Sequence, residues 1–222
     1  MHLISNRIII LLSILSLSAC GQASNFEDIE KSANQGDALS QALLGEAYVN
    51  AEGVSQDYKK AFEWYIKAAI QWNVDAQNNL GALYANGHAV AEDDKQAFEW
   101  YNKAAKQGNA QAQNNLGAAY ANGEGVIQDY KKAFEWYSKA AEQGNADAQK
   151  YLGFLYEDGS GVTQDYKKAF EWYNKSAEQE NADAQYSLGR IYAIGQGVTQ
   201  DYKKAFEWYK KSAEQGNIDA QF

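Results

Sequence analysis

The chain has 222 residues, no proline and 18 glycines, and its 20 basic against 29 acidic residues leave a formal charge of −9, a length ample for one large domain or two small ones. That charge argues against nucleic acid, single-stranded forms included, and against an anionic lipid surface, because either needs clustered Lys and Arg to displace counterions. With one cysteine, Cys20, and two histidines, His2 and His88, a Cys/His zinc site, a Cys/His nucleophile pair and an internal disulfide are all unavailable.

Residues 1–19 read as an export signal: a short basic start ending at Arg7, an apolar run from Ile8 to Leu17 broken only by Ser13 and Ser16, then small residues. A membrane-spanning helix needs about 20 apolar residues, so the segment is expected to be cleaved. Leu17-Ser18-Ala19-Cys20 resembles the lipobox of bacterial lipoproteins, in which the cysteine becomes the acylated first residue. The alternative is a secreted protein with a free thiol. Gly21 after the cysteine, rather than Asp, implies by the same resemblance a lipid-anchored place in the outer membrane, facing the periplasm. Several acyl chains would make that attachment stable, since one alone binds marginally.

Residues 20–25 are then expected to be a lipidated N-terminus and short tether. Phe26, Glu27, Lys31 and Ala33 align with Phe62, Glu63, Lys67 and Ala69, so 26–36 is predicted to be an N-terminal half-repeat, a lone helix capping the repeats. From residue 37 to 222 the sequence repeats. Trp64, Trp100, Trp136, Trp172 and Trp208 stand 36 residues apart, as do Leu44-Gly45, Leu80-Gly81, Leu116-Gly117, Leu152-Gly153 and Leu188-Gly189. A fixed period of this length means stacked supersecondary units.

Each unit reads as two helices. Helix A, for example Ala110 to Ala121, puts Ala112, Leu116, Ala119 and Tyr120 on one stripe. Helix B starts after Asp129, its N-cap, with Ala133, Trp136, Tyr137 and Ala140 facing inward and with Lys131, Glu135 and Lys139 spaced for exposed i,i+4 pairs. Gly144 is placed as a left-handed C-cap. A mid-helix glycine such as Gly117 costs about 1 kcal/mol relative to Ala; its return in every unit predicts a neighbouring helix too close for a Cβ. The sequence ends at Gln221-Phe222, where a truncated sixth helix A would begin, which would leave the edge around Trp208 and Tyr209 available for self-association.

The third unit, L-G-x-x-Y-x-x-G-x-G-V-x-Q-D-Y-x-K-A-x-x-W-Y-x-K-A-A-x-x-G, resembles the Sel-one-like repeat, a relative of the tetratricopeptide repeat. The likeness covers Leu44 to Gln221 and implies an all-α fold, an α/α solenoid wound as a right-handed superhelix of about five 36-residue helix-turn-helix repeats. Departures fall in the turns. Ser55, Ala91, Ile127, Thr163 and Thr199 replace a common proline, Ala89 replaces a loop glycine, Asp94 a helix-B tyrosine, and Trp72 and Glu180 stand at the C-cap glycine position.

No catalytic residue, cofactor site or metal site is expected. His88 lies near Glu92, Asp93 and Asp94, and a solvated loop accounts for them; Glu157 and Asp158 read as a solvated helix end. The family resemblance directs one side of helix A toward a concave groove. There the earlier units carry Asn78, Asn79, Ala82, Asn114, Asn115 and Ala118, whereas units four and five carry Lys150, Tyr151, Phe154, Glu157, Tyr186 and Arg190. Aromatics and Arg are enriched at binding hot spots, so Lys150, Tyr151, Phe154, Tyr186 and Arg190 are the candidate partner-binding residues. The forked guanidinium of Arg190 suits an extended peptide bearing an acidic group; neutral drift at solvated positions is the competing reading. The resemblance implies a non-catalytic protein-interaction scaffold of the cell envelope with a protein or peptide partner. Two alternatives stay open: an enzyme that binds or hydrolyses β-lactams or peptidoglycan fragments, as cysteine-rich relatives are thought to, and a surface lipoprotein contacting host cells.

Overall fold

A computed structural model describes residues 19–220, with side chains from Phe26 onward. Residues 1–18, where an export signal is expected, and the end at 221–222 lie outside the described residues. Eleven helices succeed one another, with no strand among the described residues: α1 (Ala19–Asn34), α2 (Ala38–Asn50), α3 (Tyr58–Ala69), α4 (Val74–Ala85), α5 (Asp94–Lys106), α6 (Ala110–Asn122), α7 (Tyr130–Glu142), α8 (Ala146–Asp158), α9 (Tyr166–Glu178), α10 (Ala182–Ile194) and α11 (Tyr202–Glu214), then a 3₁₀ turn at Ile218–Ala220. The even-numbered helices from α2 are A helices and the odd-numbered ones from α3 are B helices. α1 begins before Phe26, so the 20–25 segment expected to be a short tether has helical backbone.

The chain divides into two compact units: one reaches Asn115 and includes Glu124–Val126, and the other holds Leu116–Gly123 and everything from Ile127. In the first unit Leu44, Leu80, Leu83, Tyr48 and Tyr65 form the core with Ala33, Ala61 and Ala76, and Trp64 and Trp100 cover its edge. In the second unit Tyr137, Leu152 and Leu155 form one cluster and Tyr173, Leu188 and Ile191 another. Each fully buried leucine contributes about 2 kcal/mol of hydrophobic stabilisation.

The same devices build both units. Asp57, Asp93, Asp129 and Asp165 cap the B helices, each carboxylate accepting from backbone N–H groups two and three residues on, as Asp129 does from Lys131 and Lys132 at 3.0 and 3.1 Å. The recurrent mid-helix glycine has the predicted cause: a Cβ on Gly81 would lie 2.7 Å from the Tyr101 ring, and one on Gly153 2.7 Å from the Tyr173 ring. Helix A and helix B therefore meet glycine against tyrosine.

A second device is a chain of amides. Gln77 Nε2 donates to the Ala69 carbonyl at 3.1 Å while Gln77 Oε1 accepts from Gln107 Nε2 at 2.7 Å. Gln149 does the same with Ala141 (3.2 Å) and Gln179 (2.8 Å). Each staple adds a second donor to a carbonyl at the end of a B helix that already accepts from a backbone N–H, as Ala69 does from Trp72 and Ala141 from Gly144, and ties that helix to the next repeat.

The tryptophans depart from expectation. Among the described residues Tyr65, Tyr101, Tyr137 and Tyr173 are the fully buried aromatics, whereas Trp136 and its counterparts are half-buried. A lysine one turn on covers each indole face, Lys139 Nζ standing 4.0 Å from the Trp136 ring centroid and Lys175 Nζ 3.9 Å from that of Trp172. Lys139 thus takes a cation–π partner in place of the expected pair with Glu135. Gly144 caps α7 at φ +90, and Trp72 and Glu180 adopt the same left-handed backbone at φ +65 and +64. The turn geometry holds there without glycine.

Candidate recognition site

Within the second unit, α8 and α10 carry all the candidate residues. Lys150 is only 12% exposed, its Nζ 3.1 Å from Asp183 Oδ2 and 4.4 Å from the centroid of the Tyr151 ring. Burial works against its charge, but Tyr151, Asp183 and Asp147 outweigh it and the ammonium's pKa lies above the usual value. Tyr151 stacks on Tyr137, ring centroids 5.0 Å apart, and Tyr186 tilts against Tyr209 at 5.5 Å. Lys150, Tyr151 and Tyr186 are thus engaged by neighbours on their own unit.

One turn further along α8 the surface opens. Phe154, Glu157, Asp158, Arg190, Ile194 and Gln196 line a depression of about 590 Å³. Phe154 and Ile194 are 44% and 55% exposed and form apolar walls on the two helices. Between them Arg190 is ion-paired with Glu157, the latter 13% exposed. The other oxygen of Glu157 accepts from the Tyr173 hydroxyl at 2.9 Å. Burial first, and the Glu157 charge second, push the Tyr173 phenol well above its ordinary range. For Arg190, burial opposes the charge and the bond to Glu157 overrides it, raising the pKa further.

This arrangement corrects two expectations. Glu157 is not a solvated helix end, because α9 delivers Tyr173 beneath it and α10 delivers Arg190 beside it. Arg190 is not a free guanidinium facing solvent. Ile194 and Gln196 are not among the candidates that residue type selects, although the 36-residue register holds a signal: Ile194 stands where Asp158, Asn122 and Asn86 stand in other units.

The equivalent face of the first unit differs from expectation too. Asn78, Ala82 and Asn115 are 9%, 1% and 1% exposed. Asn115 Nδ2 donates to Asn78 Oδ1 at 3.0 Å, and Asn79 Nδ2 donates to the Tyr65 hydroxyl at 3.3 Å. Small side chains let the A helices approach until these amides close on one another, so the positions do not project away. Asn114, at the unit boundary, is likewise 6% exposed.

His88 is half-buried rather than solvated, stacked on Tyr58 at 4.4 Å with its Nδ1 shielded from solvent and lacking a hydrogen-bond partner. Among the described residues no three His, Cys, Asp or Glu side chains are placed to hold a metal ion, and no helix is long and apolar enough to cross a membrane.

The Sel1 repeat model matches residues 38–71, 74–109, 110–145, 146–181 and 182–217. No curated protein matches the chain. Among solved structures, the chain is similar to a protective antigen of uropathogenic Escherichia coli displaying an SLR fold, at 42% identity and TM-score 0.83, covering 90% of this chain and 43% of the antigen. It therefore spans less than half of that protein's length. A Sel1 repeat protein from Oxalobacter formigenes is 34% identical with TM-score 0.81, covering 90% of this chain and 84% of its own. An immunity protein from Pseudomonas aeruginosa is 25% identical with TM-score 0.57, covering 90% and 75%.

Proposed function

Because the chain belongs to the Sel1 repeat family, an all-α solenoid fold that serves as a protein-interaction scaffold, we propose that it is a non-catalytic adaptor of the bacterial cell envelope. It holds a protein or an extended peptide against the face formed by α8 and α10. The observation that carries this reading is local: the caps, staples and glycine–tyrosine contacts are the same in both units, yet only this face exchanges closed amides and alanines for aromatic and charged groups around a depression. A change confined to surface-forming positions on an unchanged frame is what recognition requires.

The test is site-specific photocrosslinking in intact cells. A crosslinker replacing Phe154 should yield a discrete adduct, and one replacing Glu171, exposed on α9, should not. Adducts from both positions, or from neither, would sink the α8–α10 reading.

Attachment to the envelope rests on the lipobox at Leu17 to Cys20. In this reading Cys20 carries the acyl chains that hold the protein at the outer membrane, facing the periplasm. A similar protein described as a protective antigen is compatible with such a place. Cys20→Ser should move the protein from the membrane to the soluble periplasmic fraction; a variant that still sediments with membranes would refute the anchor.

A further inference from the structure

We infer that the depression between α8 and α10 is a pocket for a basic side chain, an arginine of an extended peptide, and not for an acidic one. The inference rests on the α8–α10 face being the recognition surface and adds the chemistry of what it recognises.

The ion pair decides the sign of the ligand. Arg190 is the one cation among the residues lining the depression, and Glu157 already neutralises it. An acidic ligand that took the guanidinium in a forked pair would draw it away from Glu157. That would strand a carboxylate only 13% exposed, and a charge left without its partner in a desolvated site is strongly unfavourable. Tyr173 would remain as its single donor. An acidic ligand therefore loses at least as much as it gains.

The residual charge of the pocket has the opposite sign. Glu157, Asp158 and Arg190 together leave one net negative charge, carried by Asp158, which is exposed at the rim and accepts from the Ser160 hydroxyl. The walls suit a long side chain with an apolar stem. Phe154 and Ile194 offer exposed apolar surface on two helices, and a phenyl face attracts a guanidinium stacked on it. The Gln196 Oε1 in the wall is an acceptor with no hydrogen-bond partner, and a guanidinium supplies five donors. Charge, shape and hydrogen-bonding deficit agree on the same ligand.

In register terms the pocket is particular to this place. Phe154 and Arg190 correspond to Glu46, Ala82 and Ala118, Glu157 to Val49, Ala85 and Ala121, and Ile194 to Asn50, Asn86 and Asn122, so no earlier repeat joins an aromatic wall to a carboxylate at these positions.

The chain supplies its own probe, since Arg190 is one of only two arginines, the other being Arg7 in the leader. The full chain would be titrated with three octapeptides identical except at a central Leu-Xaa-Leu, with arginine, citrulline or glutamate at Xaa. The Arg190 Nε–H resonance and the Phe154 ring report occupancy. The arginine peptide should shift both and bind at least tenfold more tightly than the glutamate peptide, with citrulline between. Asp158→Asn should remove most of that preference while leaving the citrulline peptide unchanged. If all three bind with equal affinity and shift Phe154, or if glutamate binds most tightly, the basic pocket is wrong while the α8–α10 recognition surface stands. If none shifts either resonance, the pocket is wrong and the crosslinking test from Phe154 decides the surface separately.

Discussion

The A-helix face of the first unit and that of the second are built on one frame and end in opposite surfaces. Around α4, Asn115 donates to Asn78 and Asn79 reaches the Tyr65 hydroxyl, so polar groups are consumed by one another and the face is closed. Along α8 and α10, Lys150, Tyr151, Phe154, Glu157 and Arg190 occupy the corresponding positions; their bulk keeps a depression open and their charges pair across helices. Beneath both faces lie the same aspartate caps, the same Gln–Gln staples and the same glycine–tyrosine contact. Frame and surface can therefore change independently. The frame is fixed by the capping aspartates, the glutamines and the glycine–tyrosine contacts, and the surface by a few other positions on each A helix, whose side chains pair across the face along α8 and α10.

The largest effect should test whether the frame is shared. Tyr101→Ala and Tyr173→Ala each remove an aromatic that is 2% exposed and wedged against a glycine, and each should lower stability by about 3–5 kcal/mol in urea unfolding. If one costs less than half the other, the two units do not rest on equivalent contacts.

Alkaline pH should act next. Burial holds the Tyr65, Tyr101 and Tyr173 phenols protonated well above the ordinary value. Their stabilisation is complete below the unfolded pKa near 10 and declines as pH rises above it, because the unfolded chain then binds fewer protons than the folded one. Each such tyrosine contributes a slope of about 1.4 kcal/mol per pH unit. The urea midpoint should hold steady to about pH 9.5 and fall steeply by about pH 11; a flat profile would contradict the burial of these hydroxyls.

A subtler pair separates the two faces. Tyr173 donates to Glu157, whereas the Tyr101 hydroxyl is buried without a partner. Tyr173→Phe should cost about 2 kcal/mol, the value of a hydrogen bond to a charged group, while Tyr101→Phe should be neutral or slightly stabilising because it removes an unsatisfied hydroxyl. Equal effects would mean that the network under Arg190 adds nothing. Smallest of all, Trp72→Gly in the first unit and Glu180→Gly in the second should each raise stability by about 1 kcal/mol, since both side chains are exposed and both residues hold a left-handed backbone that disfavours a Cβ.

Much of the frame is legible in the sequence. A 36-residue spacing of Leu-Gly pairs and tryptophans fixes the number of helices, and Asp129 and Gly144 mark where α7 starts and stops. The depth of the tryptophans is not legible, because a helical wheel assigns a direction and not a distance: Trp136 points inward yet lies at the margin, under Lys139. Nor is the pairing of Glu157. Its partners come from Tyr173 on the next helix and Arg190 on the one after, and separations of that kind are set by packing and leave no short-range pattern. Residue type alone selects Phe154 and Arg190, which do meet at the depression; the same rule selects Lys150, Tyr151 and Tyr186, which turn to neighbours instead.

The glutamine staples carry a consequence for how such a chain can lengthen or shorten. Gln149 receives a bond from Gln179 at the end of its own repeat and gives one to the Ala141 carbonyl of the repeat before, and Gln77 and Gln185 act alike toward Ala69 and Ala177, so a repeat meets its predecessor with an amide plug and offers its successor a carbonyl socket. Deleting or duplicating one whole repeat rejoins matching ends and leaves no amide stranded. An insertion of any other length inside a helix pair separates plug from socket and uncovers a helix end. The unit in which such a chain can change length without stranding a staple is accordingly the whole repeat, each with its own few surface positions on which a new specificity can be written.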